Sequence, residues 1–220
     1  MLIVIANVIP AEEIAPLRER ILGLRYLDGA TTAGWHAKLV KRNLQADRAD
    51  ENYPALNKRV IDALSQNAAF RLATRPKSMT PLLFSRYSDG MTYGSHVDDA
   101  MIMGVRSDVS FTLALTKPED YEGGELVMET TAGEQAFKLP AGHVIAYPST
   151  TLHRVAPVTR GERLAAVGWL QSQLRDPQHR ELLYDLDLAR RSLFDREGKT
   201  REFDLMSKVS ANLLRLWAEP

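Results

Sequence analysis

The spacing of apolar residues changes character twice along the chain. At the start, "MLIVIANVI" is a continuous apolar run that reads as a first buried strand. It has no basic leader or small-residue cleavage site and is far short of the roughly 20 residues that a spanning helix needs. Pro10 then marks a helix start, and Ile14, Leu17, Ile21 and Leu22 recur at three-to-four residue spacing, which predicts a short amphipathic helix. "WHAKLVKRNLQ" partly alternates and reads as a strand. "YPALNKRVIDALSQN" aligns Leu56, Val60, Ile61 and Leu64 on one helical face.

From Leu82 the period shortens. "PLLFSRY", "DVSFTLALT", "GELVMET", "QAFKLPAG", "HVIAYP" and "ERLAAVGWLQS" are short runs rich in aliphatic and β-branched residues, divided by "SDG", "KPEDYEGG", "TAGE", "LPAG" and "TRG". That rhythm predicts antiparallel strands in a sandwich or barrel. After Arg175 helical spacing returns: Asp176 can cap a helix with Pro177 at its first position, and Leu182, Leu183, Leu186, Arg190, Leu193 and Phe194 follow. "REGK" interrupts this helix. "DLMSKVSANLLRLWAEP" then sets Met206, Val209, Leu213 and Leu216 or Trp217 on one face, either for packing on the β-core or for a subunit interface.

Composition narrows the functional classes. Lys+Arg and Asp+Glu both total 28 in 220 residues, so no overall charge draws the chain to nucleic acid or an anionic membrane. The absence of cysteine removes disulfides, thiolate metal sites and thiol nucleophiles, and suits a cytoplasmic location. Any metal must use His, Asp or Glu. "YEGGEL" reads as a turn with close backbone approach, since no P-loop lysine follows it.

Candidate chemistry concentrates in "RYSDGMTYGSHVDDAM". In an extended segment His96 and Asp98 point to the same face while Val97 and Asp99 point to the other. Alone, H-x-D is equally a hydrogen-bonded pair at a strand end. His153 follows the strand "HVIAYP" and the turn "STT", where it could face His96 and Asp98 across a sandwich, and Arg163 begins another apolar strand ten residues on. Two imidazoles and one carboxylate form the face of a non-haem iron site, and arginine can pair bidentately with a carboxylate while staying charged when buried. Asp99 reads as an acceptor behind the site or a solvated carboxylate. His36, His143 and His179 read as ordinary histidines, and Tyr93 as packing.

The stretches "RYSDGMTYGSHVDDAM", "RSDVSFTLALTKPEDYEGGELV" and "KLPAGHVIAYPSTTLHRVAPVTRGERLAAVGWLQS", with "KLVKRNLQ" and the helical tail, resemble the bacterial PKHD-type (prolyl/lysyl hydroxylase domain), PiuC-like hydroxylases related to prolyl 4-hydroxylase. The resemblance implies a mainly β fold with flanking helices (α+β). Its core would be a double-stranded β-helix, or jelly roll, over residues 81–174, with N-terminal strands and supporting helices in 1–80 and a C-terminal helical extension in 175–220. It further implies Fe(II) on His96, Asp98 and His153, and 2-oxoglutarate held through its distal carboxylate by Arg163 with help from Tyr87. L-ascorbate is the candidate reductant. The implied reaction hydroxylates a small molecule or protein side chain as 2-oxoglutarate is decarboxylated to succinate, with a link to iron uptake. Where many relatives read "AGD" this chain has Ala141, Gly142 and His143, and Ala114 replaces an aromatic. The competing expectations are a non-catalytic metal- or ligand-binding jelly roll and a zinc hydrolase. No nucleic-acid or membrane partner is expected, and a homo-oligomer through the C-terminal helices is one of the two readings of their apolar faces.

Overall fold

The computed structural model describes residues 1–219; Pro220, the last residue of the expected helical extension, lies outside the described residues. The N-terminal region runs β1 (Ile3–Ile5), α1 (Ala11–Leu22), β2 (Tyr26–Asp28), β3 (Lys41–Arg42), β4 (Leu44–Ala46), α2 (Tyr53–Gln66), α3 (Ala68–Thr74) and β5 (Pro76–Met79). The centre holds β6 (Leu83–Tyr87), β7 (Thr92–His96), β8 (Met101–Ile102), β9 (Val105–Arg106), β10 (Val109–Ala114), β11 (Tyr121–Gly123) and β12 (Leu126–Thr130). It continues through β13 (Gly133–Phe137), β14 (Val144–Pro148), β15 (His153–Val155), β16 (Val158–Gly161) and β17 (Arg163–Ser172), and α4 (Pro177–Glu197) and α5 (Arg201–Trp217) close the chain.

Two antiparallel sheets face each other as a jelly roll. The larger has the order β1-β14-β10-β17-β6-β4-β2 with β5 also paired to β17; the smaller runs β13-β12-β15-β7-β3. Strand period decides what each face of the larger sheet meets. On β17, Leu164, Ala166 and Leu170 point outward and pack with Phe111, Leu113 and Phe84 against Leu17 and Ile21 of α1, Leu56, Val60 and Leu64 of α2 and Phe70 of α3. Each such Leu, Ile, Val or Phe side chain contributes about 1.5–3 kcal/mol by leaving water. The alternate residues Arg163, Val167 and Trp169 therefore face inward and line a cavity between the sheets. A one-residue slip of β17 would drive Arg163 into the apolar layer, so the helices that never touch the cavity fix its lining. A second cluster, with Tyr87, Ile145 and Tyr147 from one sheet and Leu126, Met128 and Val155 from the other, fills the remaining space between them.

Both N-terminal helices form where the spacing predicts, with Pro10 just before α1. Asn67 ends α2, and its side chain accepts the Phe70 amide at 3.0 Å to start α3, a helix not expected from apolar period. "WHAKLVKRNLQ" is not one strand. It gives a 3-10 turn at Ala37–Leu39, then β3 in the smaller sheet and β4 in the larger, because the chain crosses between sheets at Asn43.

Asp176 caps α4 by accepting the Gln178 amide at 2.7 Å, and Gly198 ends that helix. The faces of the tail differ from the apolar stripes. Leu182, Phe194, Val209 and Leu216 are exposed, while Arg180, Leu183 and Asp187 are buried on α4 and Ser210 on α5. Polar bonds override the stripe: Arg180 donates to the carbonyls of Leu174 and Arg175 at 2.6 and 2.9 Å, and Asp187 pairs with Arg75, Arg190 and Ser210. Trp217 stacks on His179 at 4.1 Å. Among the described residues no helix is long and apolar enough to cross a membrane.

Asp187 ties α3, α4 and α5 together from a nearly dry position. Replacing Asp187 with Ala leaves the mostly buried Arg75 guanidinium without its partner, and should cost about 3 kcal/mol of unfolding free energy by chemical denaturation.

Candidate active site

His96 and His153 are brought together by backbone pairing. β7 and β15 are antiparallel neighbours in the smaller sheet, and His96 is directly opposite His153. The two rings meet side by side at 4.3 Å between centroids, not across the sandwich as their separation in sequence suggested. Each imidazole is oriented by its own backbone. His96 Nδ1–H donates to the Gly94 carbonyl at 2.8 Å and His153 Nδ1–H to the Thr151 carbonyl at 2.9 Å. Carbonyls only accept, so these bonds put the proton on Nδ1 and leave the Nε2 lone pair free.

Both Nε2 atoms face one carboxylate. They lie 3.9 Å from Asp98 Oδ1 and Oδ2 respectively, and the three side chains offer donor atoms within 4.8 Å of one another, close enough to share one metal ion. Asp98 lies just past the end of β7, where strand alternation stops, so Asp99 and Val97 also line the cavity. Asp98 Oδ2 accepts the Ser110 hydroxyl at 2.6 Å, and Ser110 itself contacts Ser149 Oγ at 2.8 Å. The larger sheet thereby aims the carboxylate that the smaller sheet carries.

Aromatic rings pack the imidazoles in place. Tyr93 stacks on His96 at 3.6 Å with an 18° tilt, and Tyr147 meets His153 edge-on at 5.1 Å. Burial, reinforced by the adjacent His153, holds the His96 imidazole well below its ordinary range, so it is neutral at neutral pH.

The cavity encloses about 320 Å³. Arg163, 7% exposed, lines it, with its guanidinium carbon 5.1 Å from the centre of the buried Tyr87 ring. Arg163 and Tyr87 are cross-strand partners on β17 and β6. The neighbouring carboxylate, Glu162, is taken by Arg18 and Arg86, and among the described residues none pairs with Arg163. Burial pushes the Tyr87 phenol up against the lowering effect of Arg163, so its hydroxyl stays a neutral donor. "YEGGEL" is a close approach: Gly124, at φ +68°, would place a Cβ 3.0 Å from Arg163 Cδ and 2.8 Å from Val158. Ala114 borders a separate cavity of about 20 Å³ that also touches Arg163.

His36 pairs with Trp35, His179 stacks on Trp217, and His143 lies before β14; none borders the main cavity. Sequence reasoning missed Ser110, Tyr147, Trp169 and Lys41, all set by cross-strand neighbours that no local motif announces. Lys41 is 5% exposed, its ammonium donates to Thr32 Oγ1 at 3.0 Å and it sits 4.9 Å from the Tyr93 ring centre. Burial pulls its pKa down to about 8 against the opposing pull of Asp98 and Asp28.

The profile of the 2OG-Fe(II) oxygenase superfamily matches residues 82–171, which span β6 to β17 and all the residues just described from Tyr87 to Trp169. A PKHD-type hydroxylase of Picosynechococcus is 56% identical over 98% of this chain and 98% of its own length. Another, of Acaryochloris marina, is 56% identical over the whole of both chains. Among solved structures, a Pseudomonas putida prolyl-4-hydroxylase shares the fold with a TM-score of 0.52, covering 78% of this chain and 92% of that one at 24% identity. With near-complete coverage at such identity, the chain belongs to the PKHD-type hydroxylases, within the 2OG-Fe(II) oxygenase superfamily.

Proposed function

We propose that His96, Asp98 and His153 hold Fe(II), that Arg163 and Tyr87 seat 2-oxoglutarate beside it, and that the enzyme hydroxylates a C–H bond of a small molecule or protein side chain. The observation that carries this reading is the convergence in one cavity of two Nε2 lone pairs and a carboxylate with a buried guanidinium that, among the described residues, no carboxylate pairs. The donor set fits the group: two neutral imidazoles and one carboxylate suit Fe(II) and leave coordination positions open. A lone buried arginine is costly unless paired, and its planar fork matches a carboxylate.

Iron with 2-oxoglutarate supplies oxygen activation coupled to decarboxylation of the co-substrate to succinate. The chain supplies placement. Arg163 binds the distal carboxylate of 2-oxoglutarate, and the neutral Tyr87 hydroxyl donates alongside it. The Gly94 and Thr151 carbonyls keep the imidazoles in the tautomer that presents Nε2, while Ser110 fixes the rotation of Asp98. Leu126, Val155 and Val167 line the cavity with apolar surface and keep water from competing for these charges.

Anaerobic addition of Fe(II) and 2-oxoglutarate to the wild-type protein should produce a visible metal-to-ligand charge-transfer band, absent in His96→Ala and His153→Ala; a wild-type protein with no band would remove the proposal. Truncating Arg163 to Ala should weaken 2-oxoglutarate binding by about 30-fold or more, the equivalent of the roughly 2 kcal/mol lower bound for breaking a buried charge pair. Ser110→Ala, which keeps all three ligands, should weaken metal binding about 10- to 100-fold in a direct Fe(II) or Mn(II) titration.

A further inference from the structure

Beyond Arg163, the cavity carries positive charge that the proposed co-substrate does not use. Lys41 projects from β3, at the edge of the smaller sheet next to β7, and is one ring removed from His96: its ammonium lies over Tyr93, which stacks on His96. It is almost wholly buried, donates to the neutral Thr32 hydroxyl, and among the described residues has no carboxylate within ion-pair distance. Arg48 lines the same cavity. Its guanidinium contacts Met103 Sδ at 2.8 Å and the Pro81 carbonyl at 3.3 Å, its Nε is buried without a partner, and among the described residues it too has no ion pair. The Trp169 indole N–H, on another wall, is likewise buried and unpartnered.

Charge balance decides what these groups can accept. With a divalent ion on the triad and a dicarboxylate on Arg163, the charges of ion, Asp98, co-substrate and guanidinium cancel. Lys41 and Arg48 then face a single further carboxylate in the cavity lining, the exposed Asp99, while Asp28, outside the lining, also acts on the Lys41 ammonium without pairing it. A buried cation in so apolar a space is stabilised by an anion that enters with the ligand.

Building on the iron and 2-oxoglutarate reading, we propose that the hydroxylated substrate is itself an acid whose carboxylate is held by Lys41 at the wall of the cavity, with Arg48 as the second cation of that subsite. Lys41 acts here as a binding group that sets which carbon of the substrate lies over the metal. The N-terminal segment contributes specificity: Thr32 and Lys41 lie outside the stretch matched by the superfamily profile.

The test is calorimetric titration of the anaerobic Fe(II) and 2-oxoglutarate holoenzyme with straight-chain and branched amino acids and, separately, their primary amides. At least one acid should bind about tenfold or more tightly than its amide, with the preference lost in Lys41→Met, which keeps the stem over Tyr93, and kept in Lys41→Arg. Acids and amides that bind alike, no acid that binds, or an acid preference that survives Lys41→Met would each overturn the assignment. Titration with 2-oxoglutarate separates the two levels. A wild-type protein that does not bind it overturns the co-substrate reading and this one with it. If it binds, and Lys41→Met abolishes that binding as Arg163→Ala does, Lys41 belongs to the co-substrate site and the acid subsite is wrong.

Discussion

The antiparallel pairing of β7 with β15 is the constraint on which the site depends. It sets His96 opposite His153, although 56 residues separate them, and it converts two unrelated sequence positions into one pair of nitrogen donors. The backbone carbonyls two residues before each histidine then choose the tautomer, so local chain geometry and sheet register act on the same rings. The third donor needs the opposing sheet: Ser110 on β10 reaches across to Asp98 and holds a carboxylate that lies beyond the end of its own strand.

The larger sheet performs two tasks with one alternating pattern. Its outward residues are consumed by the helical layer, where Phe70 meets Phe111 edge-on at 5.4 Å, and this burial fixes the register that turns Arg163, Val167 and Trp169 inward. Stability and site geometry are therefore coupled through β17. The two cations that line the cavity, Arg163 and Lys41, come from opposing sheets, β17 of the larger and β3 of the smaller.

Much of this was legible in the chain. The apolar periods of α1 and α2, the Gly- and Pro-divided strands and the Asp176-Pro177 cap follow local rules, and the structure keeps them. The H-x-D motif, the distant histidine and the arginine at the head of an apolar strand pointed to a common site because strand ends gather residues at a few places in a sandwich. What local rules could not supply was lateral order. That His153 neighbours His96 within a sheet, that Ser110 backs Asp98, and that Lys41 enters the cavity from β3 are consequences of strand pairing between segments far apart. The tail misled for a different reason: on α4 the buried positions Arg180 and Asp187 are polar, chosen by hydrogen bonds to the backbone after β17 and to residues of neighbouring helices that an apolar stripe does not report.

A crystal structure with Mn(II) and 2-oxoglutarate bound, the substitution of manganese for iron preventing turnover, tests the central claim most directly. The account predicts one ion held by Nε2 of His96, Nε2 of His153 and the Asp98 carboxylate, with the far carboxylate of the co-substrate on the Arg163 guanidinium. An ion bound through an Nδ1 atom or away from Asp98, or a co-substrate whose far end rests on Lys41 with Arg163 empty, would contradict it.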